Sequence, residues 1–389
     1  MSAAPEVTVR PVTAADEAAV SAFIVAHPLH GPGHRRELAA VERALGHREH
    51  SLAAWRAGAV VGYAPAWGVP QRTLRGIKSG RLAGGGLVAC GPLADAQLPS
   101  ADQRAVVGAL ASAARAVGGR LGARSVGWTL PGFVGSGAGV SAAAVGLLDD
   151  AVAAGCAVQL QAGLLADLRA PEEQLAARLN PTTRRRIRKA ERSGISAAWV
   201  PPGEAGALLR GFAEEAETAF GGAVGAREAL AAVAWIADLP STGAAPLLHV
   251  VAAHDESGAP ISAVVTAESN GLSYYFLSFN SPTGLARDGN PVALWHSMLA
   301  ARARGSQQFL LGSLEYGEGK SARISAFKRQ FGGAPVFAPT ARLTLSPGLQ
   351  TRDALLVWLA GRLRPMWPGG QFAEWRGGGG GRPRRGGGG

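Results

Sequence analysis

Cysteine is almost missing from the 389 residues: Cys90 and Cys156 each sit in a small apolar context, not in a Cys-x-x-Cys pair. That spacing excludes a disulfide framework and a cysteine zinc site, and without an electropositive neighbour to hold a thiolate both read as inert buried thiols. Long apolar runs are missing as well. No stretch of about 18 apolar residues is present, which excludes a membrane-spanning helix. Glu6, Arg10, Asp16 and Glu17 occupy the region where a signal peptide needs its apolar stretch, so the chain is expected in the cytoplasm without stable membrane insertion. Lysine is scarce too: Lys78, Lys189, Lys320 and Lys328 are the whole set in an arginine-dominated chain.

What is abundant is small apolar sequence, with hydrophobic residues at 47%, enough to build real cores over most of the length. Single cores stop growing near about 250 residues, so two domains are expected. The net charge of +11 divides into +4 over residues 1–170, +3 over 171–375 and +4 in the tail from Arg376. The body is therefore only mildly basic and does not by itself require a polyanionic partner. One segment stands apart: Arg178 to Arg192 carries seven basic side chains against Glu191 alone.

The apolar spacing predicts a strand in VTVRPVT, a Thr13 cap and a helix over Ala14 to His27, then a hairpin turning at Arg56 to Gly58. An Ala-rich helix over 101–118 and the strand ARSVGWTL follow. A similar order returns after residue 194: the strand ISAAWV, helices over Glu204–Phe220 and Arg227–Ala237, and a three-stranded meander whose turns are DESG and SNG. A helix over Asp288–Ala303, the strand QQFLLGS and a helical stretch ending at Phe331 complete it. The repeated order implies a duplicated α/β unit. A last helix is expected over Thr351–Arg364, and the Gly/Arg-rich segment 376–389 is too rich in glycine to fold.

Histidines cluster early, at His27, His30, His34, His47 and His50, but Pro28 and Gly31-Pro32-Gly33 break the helix that would align the first three, and no carboxylate cluster joins them. No metal site is expected; capping, turn or substrate-side roles are. The phosphate-loop pattern Arg-x-x-Gly-x-Gly/Ala occurs at Arg81, Arg329 and Arg376, never before a convincing helix, so it lends acyl-CoA binding no support. NPTTRRRIRKAERSG reads as a helix capped at Asn180 or Thr182, stopped at Gly194 and basic over most of its surface. It is either a solvated interdomain helix or a surface on which Arg188 and its neighbours meet phosphate or RNA backbone.

Two segments together resemble the FemAB-like peptidoglycan-bridge aminoacyltransferases and related acyltransferases of the GNAT superfamily. The first is LNPTTRRRIRKAERSGI. The second is YYFLSFNSPTGLARDGNPVALWHSMLAARARGSQQFLLGSLEYGEGKSARISAFKRQFGG, whose closing Phe327-Lys328 and Phe331-Gly332 are its most specific part. In the first half LGHREHSLAAWRAGAVVGYAP and GGGLVACGPLAD are similar to the same relatives, so the likeness runs from residue 5 to about 345. It implies an α/β fold of tandem GNAT-like domains, each a mixed, mostly antiparallel sheet flanked by helices. The first would span 1–165, with helix 351–364 returning to it; the second, catalytic one would span 166–345. It also implies transfer of an acyl or aminoacyl group to an amine of a cell-envelope precursor such as a peptidoglycan peptide or amino sugar, with a nucleotide-linked or lipid-linked acceptor. Unlike the best-known members, this chain has no coiled-coil arm within residues 195–245. No tightly bound cofactor is implied; the co-substrate is acyl-CoA or aminoacyl-tRNA, tRNA being a partner in the second case.

Amide formation from an ester or thioester needs an uncharged amine, a stabilised oxyanion and a proton for the leaving group. With no Ser-His-Asp or Cys-His order apparent, direct attack by the acceptor is expected. By resemblance Lys328 sits at the reaction channel beside Phe327, and Arg36 and Arg227 clamp a diphosphate. Glu315 and Tyr316 follow the LLGS strand, where α/β folds present functional side chains; either Glu315 accepts the amine proton and Tyr316 orients it, or they are solvated loop residues. Tyr274, Phe276 and Trp295 are candidates for a groove lining, with core packing the expected role of the last two. The rival reading is a non-catalytic RNA-binding or scaffold protein using helix 182–192 and the Arg/Gly tail.

Overall fold

Alternating apolar residues in the first half form strands that bury both faces. The computed structural model describes residues 6–72, 78–85, 90–130, 149, 151–152, 156–220, 225–239, 247–315 and 320–348. Strands β1 (Thr8–Pro11), β2 (Arg48–Glu49), β3 (Leu52–Arg56), β4 (Ala59–Ala64), β5 (Trp67–Arg72), β6 (Lys78–Ala83), β7 (Leu93–Ala94) and β8 (Ser125–Thr129) belong to this half. β1, β3, β4 and β7 make a four-stranded sheet. Leu52, Ala54 and Val61 point to one side of it, onto Val106, Leu110 and Ala114 of the Ser100–Arg120 helix. Ala53 and Tyr63 point to the other, onto Val20 and Ile24 of the Glu17–Ala26 helix.

The second half repeats the device. β11 (Leu248–His254), β12 (Pro260–Ser269) and β13 (Leu272–Asn280) form the expected three-stranded antiparallel meander, and the expected strand β10 (Ser196–Val200) adds to it along β11. Val250, Ala252, Ala263 and Val265 pack with Ala229, Leu230 and Val233 of the Ala226–Ala237 helix on one face. Ala253, Ile261 and Val264 pack with Val292, Trp295 and Ile187 on the other, which carries the Gly289–Ala303 and Pro181–Arg192 helices. The fold is thus a mixed, mostly antiparallel α/β arrangement flanked by helices, as expected. The expected Glu204–Phe220 helix is instead two short ones, Ala205–Arg210 and Ala216–Ala219, parted at Gly211 where Phe212 turns into the core.

The sheets are not confined to one half each. β9 (Ala157–Asp167), β14 (Gln308–Ser313) and β15 (Ala334–Thr344) join the meander to β8, β6, β5 and β2 in a single sheet of 11 strands. β9 carries it across residue 165, and β15 pairs β9 on one edge and β8 on the other. Leu38 and Val41 of the first half enter the core under the Ala226–Ala237 helix. Gly225, at φ 84°, lies where any Cβ would stand 2.1 Å from the Ala44 carbonyl oxygen, so the two halves meet backbone to backbone. The expected helix 351–364 and the segment 376–389 lie outside the described residues.

Candidate functional site

The central cavity arises where two parallel strands part. β13 and β14 pair only over Leu272–Tyr274 and Gln308–Leu310 before they diverge. A cavity of about 440 Å³ opens between them, closed on its far side by Pro28–His34 of the first half. In β13 the register slips opposite Val265 and Thr266, whose partners are Leu277 and Tyr275, leaving Phe276 bulged out of the ladder. Because of that bulge Tyr274, Tyr275 and Phe276 all line the cavity, where a regular strand would turn one of them away. Burial pushes both tyrosine hydroxyls above their ordinary pKa, so they act there as neutral hydrogen-bonding groups.

The first-half wall is built from neutral histidines. The Gly31 N–H donates to His34 Nδ1 at 2.9 Å, so the proton sits on Nε2, which donates to the Gly91 carbonyl at 2.8 Å. Burial lowers the His34 pKa to about 4 and also lowers those of His27 and His30. His27 is fixed in the same way between the Leu29 N–H and the Ala94 carbonyl. Their roles are the expected caps and turns. Ser269 Oγ donates to the His30 carbonyl at 2.8 Å and Asn270 Nδ2 to the Pro28 carbonyl at 2.9 Å, stitching this wall to the second half. Cys90 lies buried in the same wall, its thiol donating to the Gly84 carbonyl and pushed up in pKa by burial.

Lys328 ends the Lys320–Lys328 helix and is 9% exposed. Its Nζ donates to the Ser313 carbonyl at 3.4 Å and stands 5.7 Å from the Tyr275 ring centroid; Ser313 and Tyr275 both line the cavity. Lys328 makes no ion pair among the described residues, and burial lowers its pKa, with the charge of exposed Glu315 opposing that shift. The Glu315 N–H is anchored on Ser325 Oγ of the same helix at 2.8 Å. Phe327 packs edge-on against buried Phe331 at 5.2 Å, which sets the helix end. Gly312, at φ 92°, makes the turn that aims the Ser313 carbonyl at the ammonium.

The other expected positions are scattered. Arg36 is buried and taken up by Glu17, Glu49 and the Tyr63 hydroxyl, and the space beside it is about 10 Å³, room for a water at most. Four of its five N–H donors are taken up in this way, and the space beside it does not admit a diphosphate. Arg227 is exposed on the first turn of its helix and Arg188 on the basic helix; neither lines the cavity. Trp295 is core, as expected, and Tyr316 lies outside the described residues. Spacing alone missed Tyr275, Ser313 and Gln161, because the bulge and the divergence of β13 from β14 bring them in.

Similarity to known proteins lies in the fold. No protein-family model and no curated protein sequence matches the chain. Among solved structures, FemX superposes with a TM-score of 0.57 at 12% identity, over 86% of this chain and 96% of that one. The C-terminal domain of a protein from Agrobacterium fabrum, named as a lysylphosphatidylglycerol synthetase, gives 0.53 at 13%, over 90% and 96%. A conserved protein of unknown function from Bacteroides thetaiotaomicron gives 0.51 at 11%, over 87% and 100%. The chain shares the fold of these proteins.

Proposed function

We propose that the chain is an acyltransferase that moves an acyl or aminoacyl group onto an amine of a cell-envelope precursor, with its reaction centre where Lys328 meets the cavity between the halves. One observation carries this: a buried ammonium that makes no ion pair among the described residues, hydrogen-bonded to the Ser313 carbonyl at the divergence of β13 and β14. Such a cation would stabilise an oxyanion or a departing alkoxide, and its burial strengthens the effect of its charge. Neutral histidines and tyrosines line the cavity beside it, a wall that suits an uncharged amine. The fold shared with FemX and with a protein named for making lysylphosphatidylglycerol supports an envelope acceptor, nucleotide-linked or lipid-linked. The donor is acyl-CoA or aminoacyl-tRNA. Among the described residues no helix is long and apolar enough to cross a membrane.

Incubation with acyl-CoAs or charged tRNA and each acceptor class, followed by mass spectrometry, is expected to give an N-acylated product. Lys328→Ala is expected to lower kcat about 100-fold with little change in acceptor affinity, and Lys328→Arg not to restore it fully, because a planar guanidinium does not replace a compact charge. Wild-type turnover in Lys328→Ala would remove the assignment. A second reading is favoured by the exposed Arg185, Arg188, Lys189 and Arg192 of the basic helix, which suit an RNA backbone. It requires RNA affinity that falls steeply with salt, and a filter-binding titration without retention at low salt removes it.

A further inference from the structure

Among the described residues the two sheets present four edges, of which three are guarded and one is not. The 11-stranded sheet begins at β2, which is two residues long and charged at both, Arg48 and Glu49. The four-stranded sheet ends on β7, also two residues long, and on β1, which carries Arg10 and Pro11. Shortness, charge and proline are the devices that keep a bare edge from pairing with a further strand. β10, the remaining edge, lacks all three. It reads SAAWV over five uncharged residues, follows β11 without a bulge and pairs no other described strand.

This edge also exposes a side chain that soluble surfaces usually hide. Trp199 is 44% exposed, whereas Ala197, two residues back and so on the same face, packs against the core that holds Trp295 and Ile187. Beside them lies a groove of about 350 Å³, walled by Leu299 and Ala300 of the Gly289–Ala303 helix and lined as well by exposed Glu172 and Arg302. Neither Glu172 nor Arg302 makes an ion pair among the described residues; Arg302 donates from Nε to the Ala170 carbonyl at 3.1 Å.

We propose that β10 pairs with β10 of a second copy of this chain, antiparallel about a two-fold axis through Ala198, so that the two sheets join edge to edge. The register follows from the sequence. A two-fold axis normal to the sheet sets one residue opposite its own copy, and only Ala198 in that place pairs all five residues, Ser196 with Val200 of the second copy and Ala197 with its Trp199. Each bulky indole then faces a small side chain and has the groove of the opposite copy to fill, the kind of anchor that carries binding energy at an interface. No like charges meet along the strand, and each groove brings one carboxylate and one guanidinium, so the contact is self-complementary in charge as well as in shape. A strand of a different protein would gain the backbone bonds without these matches. The proposal is independent of the reaction the chain performs.

Sedimentation velocity across the micromolar range is expected to show the wild-type chain passing from one copy to two. Ala198→Lys sets two ammonium groups face to face at the axis and is expected to leave a single copy at every concentration. Trp199→Ser is expected to weaken pairing on the order of tenfold or more. Both positions are exposed, so both variants are expected to keep the wild-type circular dichroism spectrum. Cysteine substitution checks the register and serves as the test if Ala198→Lys does not fold. Opposed residues of an antiparallel ladder stand about 4.5–5.5 Å apart at Cα, within disulfide reach, whereas the two copies of Ser196 would stand about 14 Å apart. Ala198→Cys is therefore expected to cross-link under mild oxidation about tenfold faster than Ser196→Cys, or more. A wild-type chain of one copy at every concentration overturns the proposal and leaves the edge to a strand of another protein. A dimer that Ala198→Lys leaves intact, or equal cross-linking at the two positions, overturns it as well.

Discussion

At the scale of single residues, Gly312 decides more than its size suggests. A Cβ at that position would stand 2.8 Å from Lys328 Nζ, and φ 92° is costly for any L side chain. Gly312→Ala is therefore expected to destabilise the fold by about 1–2 kcal/mol and to lower turnover on the order of tenfold or more by displacing the ammonium. A thermal melt beside steady-state kinetics separates the two effects. Unchanged kcat would show that the lysine's position is not critical. The lysine itself was legible in the sequence through the Phe327-Lys328 pair, whereas Gly312 and Tyr275 gain their meaning only once β14 and the bulged β13 frame the cavity.

At the scale of elements, hairpins and capped helices were readable because their signals are local. The turn at Ala57 and Gly58 and the Asn180 cap are both where the sequence puts them. Asn180 Oδ1 accepts from the Thr182 N–H at 2.9 Å, and Asn180→Ala is expected to cost about 1 kcal/mol in urea unfolding, while exposed Arg188→Ala stays within about 0.5 kcal/mol. Equal losses for the two would show that the basic side chains, not the cap, hold the helix. β15 was illegible for a physical reason: Pro335 and Pro339 argue against a central strand. Pro335 lies in the stretch paired with β9 alone, since β8 joins only near Thr340, and Pro339 sits at the end of the β8 pairing, where its carbonyl still accepts from the Leu130 N–H at 2.8 Å.

At the scale of the whole molecule, the histidine wall makes the joint between the halves sensitive to acid. An unfolded histidine titrates near about 6.5, and His34 in the fold near about 4, so below pH 6.5 the unfolded chain binds the extra proton and stability is lost as pH falls toward 4. His27 and His30 shift in the same direction. Faster amide exchange at Gly31 and His34 is expected at pH 5 than at pH 7, after correction for intrinsic rates, and His34→Gln should reduce the difference. Equal protection at both values would exclude histidine control. The nine register pairs between β9 and β15, with β14 on the other edge of β9, have a further consequence. Jaw-like closing of one half on the other would have to tear that ladder, so the frame of described residues is stiff and ligands must enter and leave without such a motion. Their exchange is then paced by diffusion and by side-chain rotation, not by slow hinge motion.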